Sequence, residues 1–310
     1  MKPIHFATLT LLGAIWGASF LFIHITVAEL GPFSLMFIRV LVAGLILAGL
    51  AYLMSRQRQP QATLQWRKNW RKYLVVGLLN SALPFSLIAF AELKITVSLA
   101  AILNSTTPLF TAIVAALWSK EQLTGRKVWG AVLGVIGVSV LVGGSPLEID
   151  QGVIMAVAAS LLAALCYGSG TVYAAKNIGG LPPLYASMAQ LLGAAAILAL
   201  PAALTAPSAL PSATALVALA ALTVLSTSCA YLLYFFLLRN VGPTRTASVT
   251  FLVPVFGSIW GALFLQEPLS SGMLLGMAII FTSVGLVTGV RIDTRGVRRW
   301  PLKSLTKIRT

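Results

Sequence analysis

Ten stretches of this chain run for about 20 residues almost without charge, and most are separated by little more than a turn. Nothing else in the sequence restricts the fold as strongly. About 20 apolar residues is what an α-helix needs to cross a hydrocarbon core of roughly 30 Å. Only helices and closed β-barrels satisfy their backbone groups there, and the alternating polarity of a barrel strand is absent. The stretches fall at 8–28, 33–54, 73–93, 97–119, 128–144, 152–175, 183–204, 213–238, 244–266 and 272–290. With 58% hydrophobic and 9% charged residues, the chain has the composition of an all-α membrane protein with ten transmembrane helices.

The chain repeats itself in register. Pro108-Leu109-Phe110, Ala116-Leu117, Glu121-x-Leu123 and Gly130 recur as Pro254-Val255-Phe256, Ala262-Leu263, Glu267-x-Leu269 and Gly276, each 146 residues later. Earlier in each half, Trp16-Gly17, Pro32 and Arg39 match Tyr167-Gly168, Pro183 and Gln190 at an offset of 151. Self-similarity at a fixed offset near half the length marks an internal duplication. It divides the chain into a first five-span repeat at 1–146, a second at 147–290 and a basic tail at 291–310. An odd number of spans per repeat puts the second copy upside down relative to the first. Inverted repeats place a substrate site at their interface near the midplane, opened to alternate sides as one half rocks against the other.

The basic residues set the orientation. Lys2, Arg56, Arg58, Arg67, Lys68, Arg71, Lys72, Lys120, Arg126, Lys127, Lys176, Arg239, Arg245 and the tail all fall on one side. The other side receives Lys94 with Glu29, Glu92, Glu148, Asp150 and Glu267. The positive-inside rule then makes both termini cytoplasmic. The net charge of +15 is thus spread as anchors facing anionic inner-leaflet lipid rather than as a nucleic-acid surface. The first apolar run is too long for a cleaved signal peptide. Cys166 and Cys229 lie in apolar helices without metal-ligand spacing and read as small buried hydrophobes.

Within the spans, polar and aromatic residues mark candidates for a cavity. Arg39 is the one charge well inside a span, about 9 Å from the outer end of its helix at 1.5 Å per residue. It must snorkel, pair with Glu29, Glu92 or His24, or face a cavity and bind an anionic group. Pro108 and Pro254 each remove a helix hydrogen bond and are candidate kinks. Asn104, Ser105, Thr106, Thr107, Ser248 and Thr250 precede them and can satisfy the freed backbone or face water. Trp16, Phe20, Tyr167, Tyr173, Tyr231 and Tyr234 lie at depth, with Trp16 and Tyr167 in matching places, whereas Trp118 and Trp260 suit the interfacial belts. Ser19, Asn80 and Gln190 complete the proposed cavity lining with Trp16, Phe20, His24, Arg39, Asn104, Thr107, Tyr167, Tyr231, Tyr234 and Thr250. Small residues four apart, Gly13–Gly17, Gly130–Gly134, Gly257–Gly261 and Gly272–Gly276, allow close helix packing and make the fifth and tenth spans a scaffold.

No nucleotide-binding motif, metal cluster or catalytic constellation is present, so the chain is expected to be neither an enzyme nor an ATP-driven pump, without cofactor or metal. No carboxylate falls near the midplane, and His24 is the one embedded group able to titrate near neutral pH. Facilitated exchange and proton coupling through His24 both stay open, as does the oligomeric state. A solute channel would share the helices but pass solute without saturation.

These residues resemble the drug/metabolite transporter superfamily, specifically the EamA-type ten-helix carriers. The likeness rests on Trp16-Gly17-Ala18-Ser19, Pro32 through Arg39, Ser98 through Pro108 to Glu121, and Pro254 through Glu267, Leu269 and Gly276. It covers all but the tail, and departs at His24, where many members carry a lysine. It implies a secondary carrier for amino acids, other metabolites or toxic compounds, frequently outward across a bacterial inner membrane, with small-molecule substrate and lipid as its partners.

Overall fold

A computed structural model describes residues 2–57, 66–119 and 124–288. The tail, and Glu121 with Leu123 of the repeated motif, lie outside the described residues. Every element among them is helical. Among the described residues nine helices are long and apolar enough to cross a membrane, and a shorter apolar one completes the series. We number these spans in chain order: span 1, Pro3–Leu30; span 2, Pro32–Met54; span 3, Arg67–Ala91; span 4, Val97–Trp118; span 5, Gly125–Gly143; span 6, Gln151–Asn177; span 7, Pro183–Leu204; span 8, Ala213–Val241; span 9, Val249–Leu265; span 10, Ser271–Thr288. Span 9 begins later than the sequence predicts, because Pro243–Thr246 forms a separate turn of helix ahead of it.

Capping fixes several ends. Thr96 accepts from Leu99 N at 3.2 Å, and Asp150 from Val153 N at 2.7 Å. Ser212 caps span 8 and is itself held by Glu29, with its N–H and hydroxyl donating at 2.6 and 2.8 Å. Glu267 does more than cap its own loop. It reaches across to the start of span 4 and accepts from Val97 N at 2.7 Å, Ser98 N at 3.0 Å and Ser98 Oγ at 2.6 Å. A carboxylate at a helix N-terminus satisfies orphan donors and meets the positive end of the dipole. Gln266 takes a left-handed φ of 55° to end span 9 and deliver it.

The spans pack as the duplication requires. Spans 2 and 7, 5 and 10, and 4 and 9 each pack against their own counterpart; the contact of span 1 with 9 is mirrored by that of 6 with 4, and 1 with 8 by 6 with 3. The match reaches single residues. A Cβ on Gly17 would fall 2.7 Å from Gly257 N, and one on Gly168 would fall 2.7 Å from Thr111 N. Gly17 and Gly168 are 151 apart, Thr111 and Gly257 146 apart. Spans 5 and 10 approach as closely: a Cβ on Gly276 would lie 2.6 Å from Leu141 Cα, and Ser283 Oγ donates to Gly130 O at 2.5 Å. Lipid offers no hydrophobic drive between helices, so small residues and such hydrogen bonds carry the association.

Three spans are interrupted or irregular along their length. Span 4 breaks at Ser105–Thr106, so Pro108 falls in the first turn of the new helix, where its missing N–H costs nothing. The carbonyls left over are taken by local hydroxyls: Ser105 to Ile102 O at 2.6 Å, Thr106 to Leu103 O at 2.7 Å and Thr107 to Asn104 O at 2.8 Å. In the second half the helix runs on through Pro254, and the interruption comes earlier, at Ala247–Ser248. Spans 3 and 8 each widen into π-helix, at Leu78–Ala82 and Ala221–Cys229.

Candidate functional site

Of the predicted cavity residues, Arg39, Asn80, Tyr167, Gln190, Tyr231 and Tyr234 lie on spans 2, 3, 6, 7 and 8, and the rest lie on spans 1, 4 and 9. Arg39 neither snorkels nor forms an ion pair. Its side chain is 5% exposed, its Nε donates to Thr227 Oγ1 at 3.0 Å, its Nη1 lies 3.8 Å from Met36 Sδ, and its Cζ sits 4.0 Å over the Phe85 ring. The tyrosine hydroxyls of Tyr167 and Tyr231 are close enough to feel its charge. Tyr167 in turn meets Phe85 edge-on at 6.2 Å.

The two carboxylates proposed as its partners, Glu29 and Glu92, and the other described carboxylates are engaged elsewhere or accept no hydrogen bond from it. Glu29 holds Ser212, Glu267 holds span 4, and Asp150 caps span 6. Glu148 is exposed in a loop. Glu92, 1% exposed at the end of span 3, interacts electrostatically with Arg39 and Glu267, but neither of its oxygens accepts a hydrogen bond. Among the described residues Arg39 therefore has no hydrogen-bonded carboxylate partner inside the bundle. His24 also has a buried, unpartnered Nδ1, and Asn104 a buried, unpartnered Oδ1. A native interior rarely leaves such groups unmatched, and a functional partner is one of the standing explanations.

On the opposite wall Gln190 donates through Nε2 to Ser81 Oγ at 2.9 Å and to Tyr231 Oη at 3.2 Å. Tyr231 stands 5.9 Å from Phe235, and Tyr234 stands 5.7 Å from Trp16. Trp16 and Tyr167 thus occupy matching places in the two repeats, each with its own aromatic neighbour. Asn80 sits against Gly170 of span 6. Ser19 and Thr250 turn their hydroxyls onto their own helices, toward Trp16 O and Ala247 O, and Phe20 is buried in the apolar core. The Trp260 indole N–H donates to Ala14 O at 3.0 Å, tying span 9 to span 1.

Phe85, Ser81 and Thr227 are site residues that the sequence pattern does not single out. Their signal was present in the duplication, since Ser81 and Thr227, like Phe85 and Tyr231, are 146 residues apart. A separate apolar groove of about 650 Å³ runs between spans 1, 8 and 9, lined by Phe22, Val217, Trp260 and Phe264 among others. No charged side chain is among its lining residues.

Comparison with known proteins agrees with this architecture. The profile of the EamA-like transporter family matches residues 6–143 and again residues 153–289. The uncharacterized transporter YvbV of Bacillus subtilis is 27% identical over 282 residues, covering 90% of both chains. Protein PecM of Dickeya dadantii is 26% identical, covering 93% of this chain and 94% of its own. The uncharacterized inner membrane transporter YedA of Escherichia coli K12 is 27% identical, covering 91% and 90%. A solved crystal structure superposes on 93% of this chain and 97% of its own with a TM-score of 0.63, at 21% identity. A family profile that matches nearly the whole chain, in two copies, on a bundle of apolar spans leaves one conclusion: the chain belongs to the EamA-like transporter family of the drug/metabolite transporter superfamily.

Proposed function

We propose that this transporter is a secondary carrier that moves amino acids or related small metabolites outward across a bacterial inner membrane by alternating access, with both termini in the cytoplasm. The observation that carries the substrate class is Arg39. A guanidinium buried without a carboxylate partner, walled by Phe85, Tyr167, Tyr231 and Thr227, is suited to receive a carboxylate in its planar fork. Around it stand the hydroxyls of Thr227, Tyr167 and Tyr231 and the Phe85 face, the kind of fixtures that orient a small polar molecule with an apolar side chain. The kinship with YedA, named as an inner membrane transporter, supports the location.

The test is counterflow. Purified protein in liposomes preloaded with unlabelled amino acid should concentrate the labelled form transiently, and the rate should saturate. A linear, non-saturating flux would make the protein a channel, and flux equal to empty liposomes across the amino acids would remove the substrate assignment. Imposing a pH gradient separates simple exchange from proton coupling. Accumulation driven by the gradient, and lost in His24→Gln, would assign the coupling to His24. Preferential uptake into inside-out vesicles over right-side-out vesicles would establish the outward direction.

A further inference from the structure

The two sides of the polar cluster are one arrangement built twice, with a single change of charge. Arg39 in span 2 and Gln190 in span 7 hold equivalent places, 151 residues apart. Each donates to a hydroxyl on the π turn of the other repeat: Arg39 to Thr227 at 3.0 Å, Gln190 to Ser81 at 2.9 Å. Each also meets the aromatic ring one turn further along the third span of its own repeat. Arg39 lies 4.0 Å from the Phe85 centroid, and Gln190 donates to the Tyr231 hydroxyl at 3.2 Å. Ser81 and Phe85 are four apart, as are Thr227 and Tyr231, so each hydroxyl and ring share one helix face. Four positions on each side correspond, counting Trp16 and Tyr167, and the only difference of formal charge among them is Arg39 against Gln190.

We propose that this one departure from symmetry sets the charge of the transported molecule, with a single carboxylate seated on Arg39 and an uncharged or donating group meeting Gln190. The assignment rests on the proposal that this cluster is the substrate site. Of the five N–H groups of Arg39, one is spent on Thr227 and one points at a thioether, a weak acceptor, which leaves a fork for two carboxylate oxygens. The Nε2 of Gln190 is spent on Ser81 and Tyr231, which leaves Oε1 as an acceptor for an ammonium, hydroxyl or amide N–H. A second anionic group would find an amide where the first finds a guanidinium. A cation would meet the Arg39 charge, which no carboxylate hydrogen-bonds, and like-charge juxtaposition in a low-dielectric site excludes it. The site therefore selects monocarboxylates, with or without an amine, against amines and dicarboxylates.

The experiment uses the full chain in detergent, with binding read by thermal shift. The probes are the alanine, leucine and phenylalanine skeletons, each as the amino acid, the deaminated acid and the decarboxylated amine, with succinate and adipate as dicarboxylates. Wild type should bind carboxylate forms at least tenfold more tightly than the matching amines. R39Q, which installs the residue already accommodated in the equivalent place, should abolish that preference. Q190R should gain at least tenfold for the dicarboxylates, and R39Q/Q190R should recover monocarboxylate binding because the anion seat has moved to the other repeat. Q190R keeps Arg39 and carries the test by itself if R39Q fails to fold. The proposal is overturned if no carboxylate binds wild type better than R39Q, or if Q190R leaves the charge preference unchanged. Binding of the deaminated acids without the amino acids would remove the amino-acid assignment while leaving the charge assignment in place.

Discussion

Removing the Glu267 side chain should loosen the join between the two halves of the protein, and the cost can be worked from its three hydrogen bonds. Glu267→Ala leaves Val97 N and Ser98 N without the acceptors now at 2.7 and 3.0 Å, and frees the Ser98 hydroxyl now donating at 2.6 Å. Water can reach part of this site, because Glu267 is half-buried, so the full penalty for two orphaned amides does not apply. A lost helix cap typically costs about 0.5–2 kcal/mol, and a hydrogen bond to a charged group about 1.5–3 kcal/mol. The sum, discounted for hydration, is a destabilisation of about 2–4 kcal/mol. Glu267→Gln should cost less, about 1–2 kcal/mol, because one amide oxygen still accepts while the amide NH2 faces a donor.

The assay is reversible unfolding in mixed micelles, with Ser98→Ala closing a double-mutant cycle. Glu267 and Ser98 should couple by about 0.5–3 kcal/mol, as residues sharing one hydrogen-bond network do. A Glu267→Ala variant within about 0.5 kcal/mol of wild type would refute the reasoning, since that is the range of an unremarkable surface change.

Gly276→Ala should destabilise by about 1–3 kcal/mol, because its Cβ would fall 2.6 Å from Leu141 Cα, while Gly285→Ala, which meets nothing within 4 Å, should stay near wild type in the same unfolding assay. Thr227→Val removes the acceptor of a buried guanidinium and should cost about 1–3 kcal/mol, with Thr227→Ser restoring most of it. Trp16→Ala loses the ring contact with Tyr234, worth about 0.5–1.5 kcal/mol beyond its area, and should weaken substrate binding in a thermal-shift titration, whereas Trp16→Phe should retain most of it. In a chain lacking Cys166 and Cys229, a cysteine at Ile149 should react with impermeant maleimide on intact cells and one at Trp70 only after permeabilisation; the reverse pattern would overturn the orientation.

The spans were legible in the sequence because lipid leaves the backbone no alternative, so length and hydrophobicity carry the information that packing carries in a soluble core. Arg39 was legible for the same reason: a charge inside an apolar run has to be explained. The break before Pro108 was also readable, since a proline preceded by Ser105, Thr106 and Thr107 supplies both the interruption and the hydroxyls that satisfy it. The equivalent reading fails at Pro254, where the helix continues and the turn sits at Ala247–Ser248. Little local marks the π turns: Leu78–Ala82 and Ala221–Cys229 contain neither proline nor glycine, although Gly77 and Pro84 flank the first. Ser81 and Thr227 accordingly read as ordinary packing residues until their partners in space are known. Glu267 shows the same limit. Its recurrence in the repeated motif could be seen, but its destination, the start of span 4, is set 169 residues away at Ser98.

The interruptions and the rigid contacts divide the molecule by mechanical role. Spans 5 and 10 are joined by backbone-close glycine contacts, whereas spans 4 and 8 are interrupted or widened and cover loose carbonyls with their own hydroxyls. Such a break can change its local winding at modest cost, because the hydroxyl can follow the carbonyl it serves. Thr227 connects this freedom to the ligand. Its Oγ1 accepts from Arg39 Nε at 3.0 Å and donates to Leu222 O at 2.9 Å within the π turn. A carboxylate that draws the guanidinium away from Thr227 weakens the acceptor side of that link, and the hydroxyl that closes the π turn loses its polarising partner. The charge proposed to recognise the substrate and the irregular turn beside it therefore share one oxygen atom.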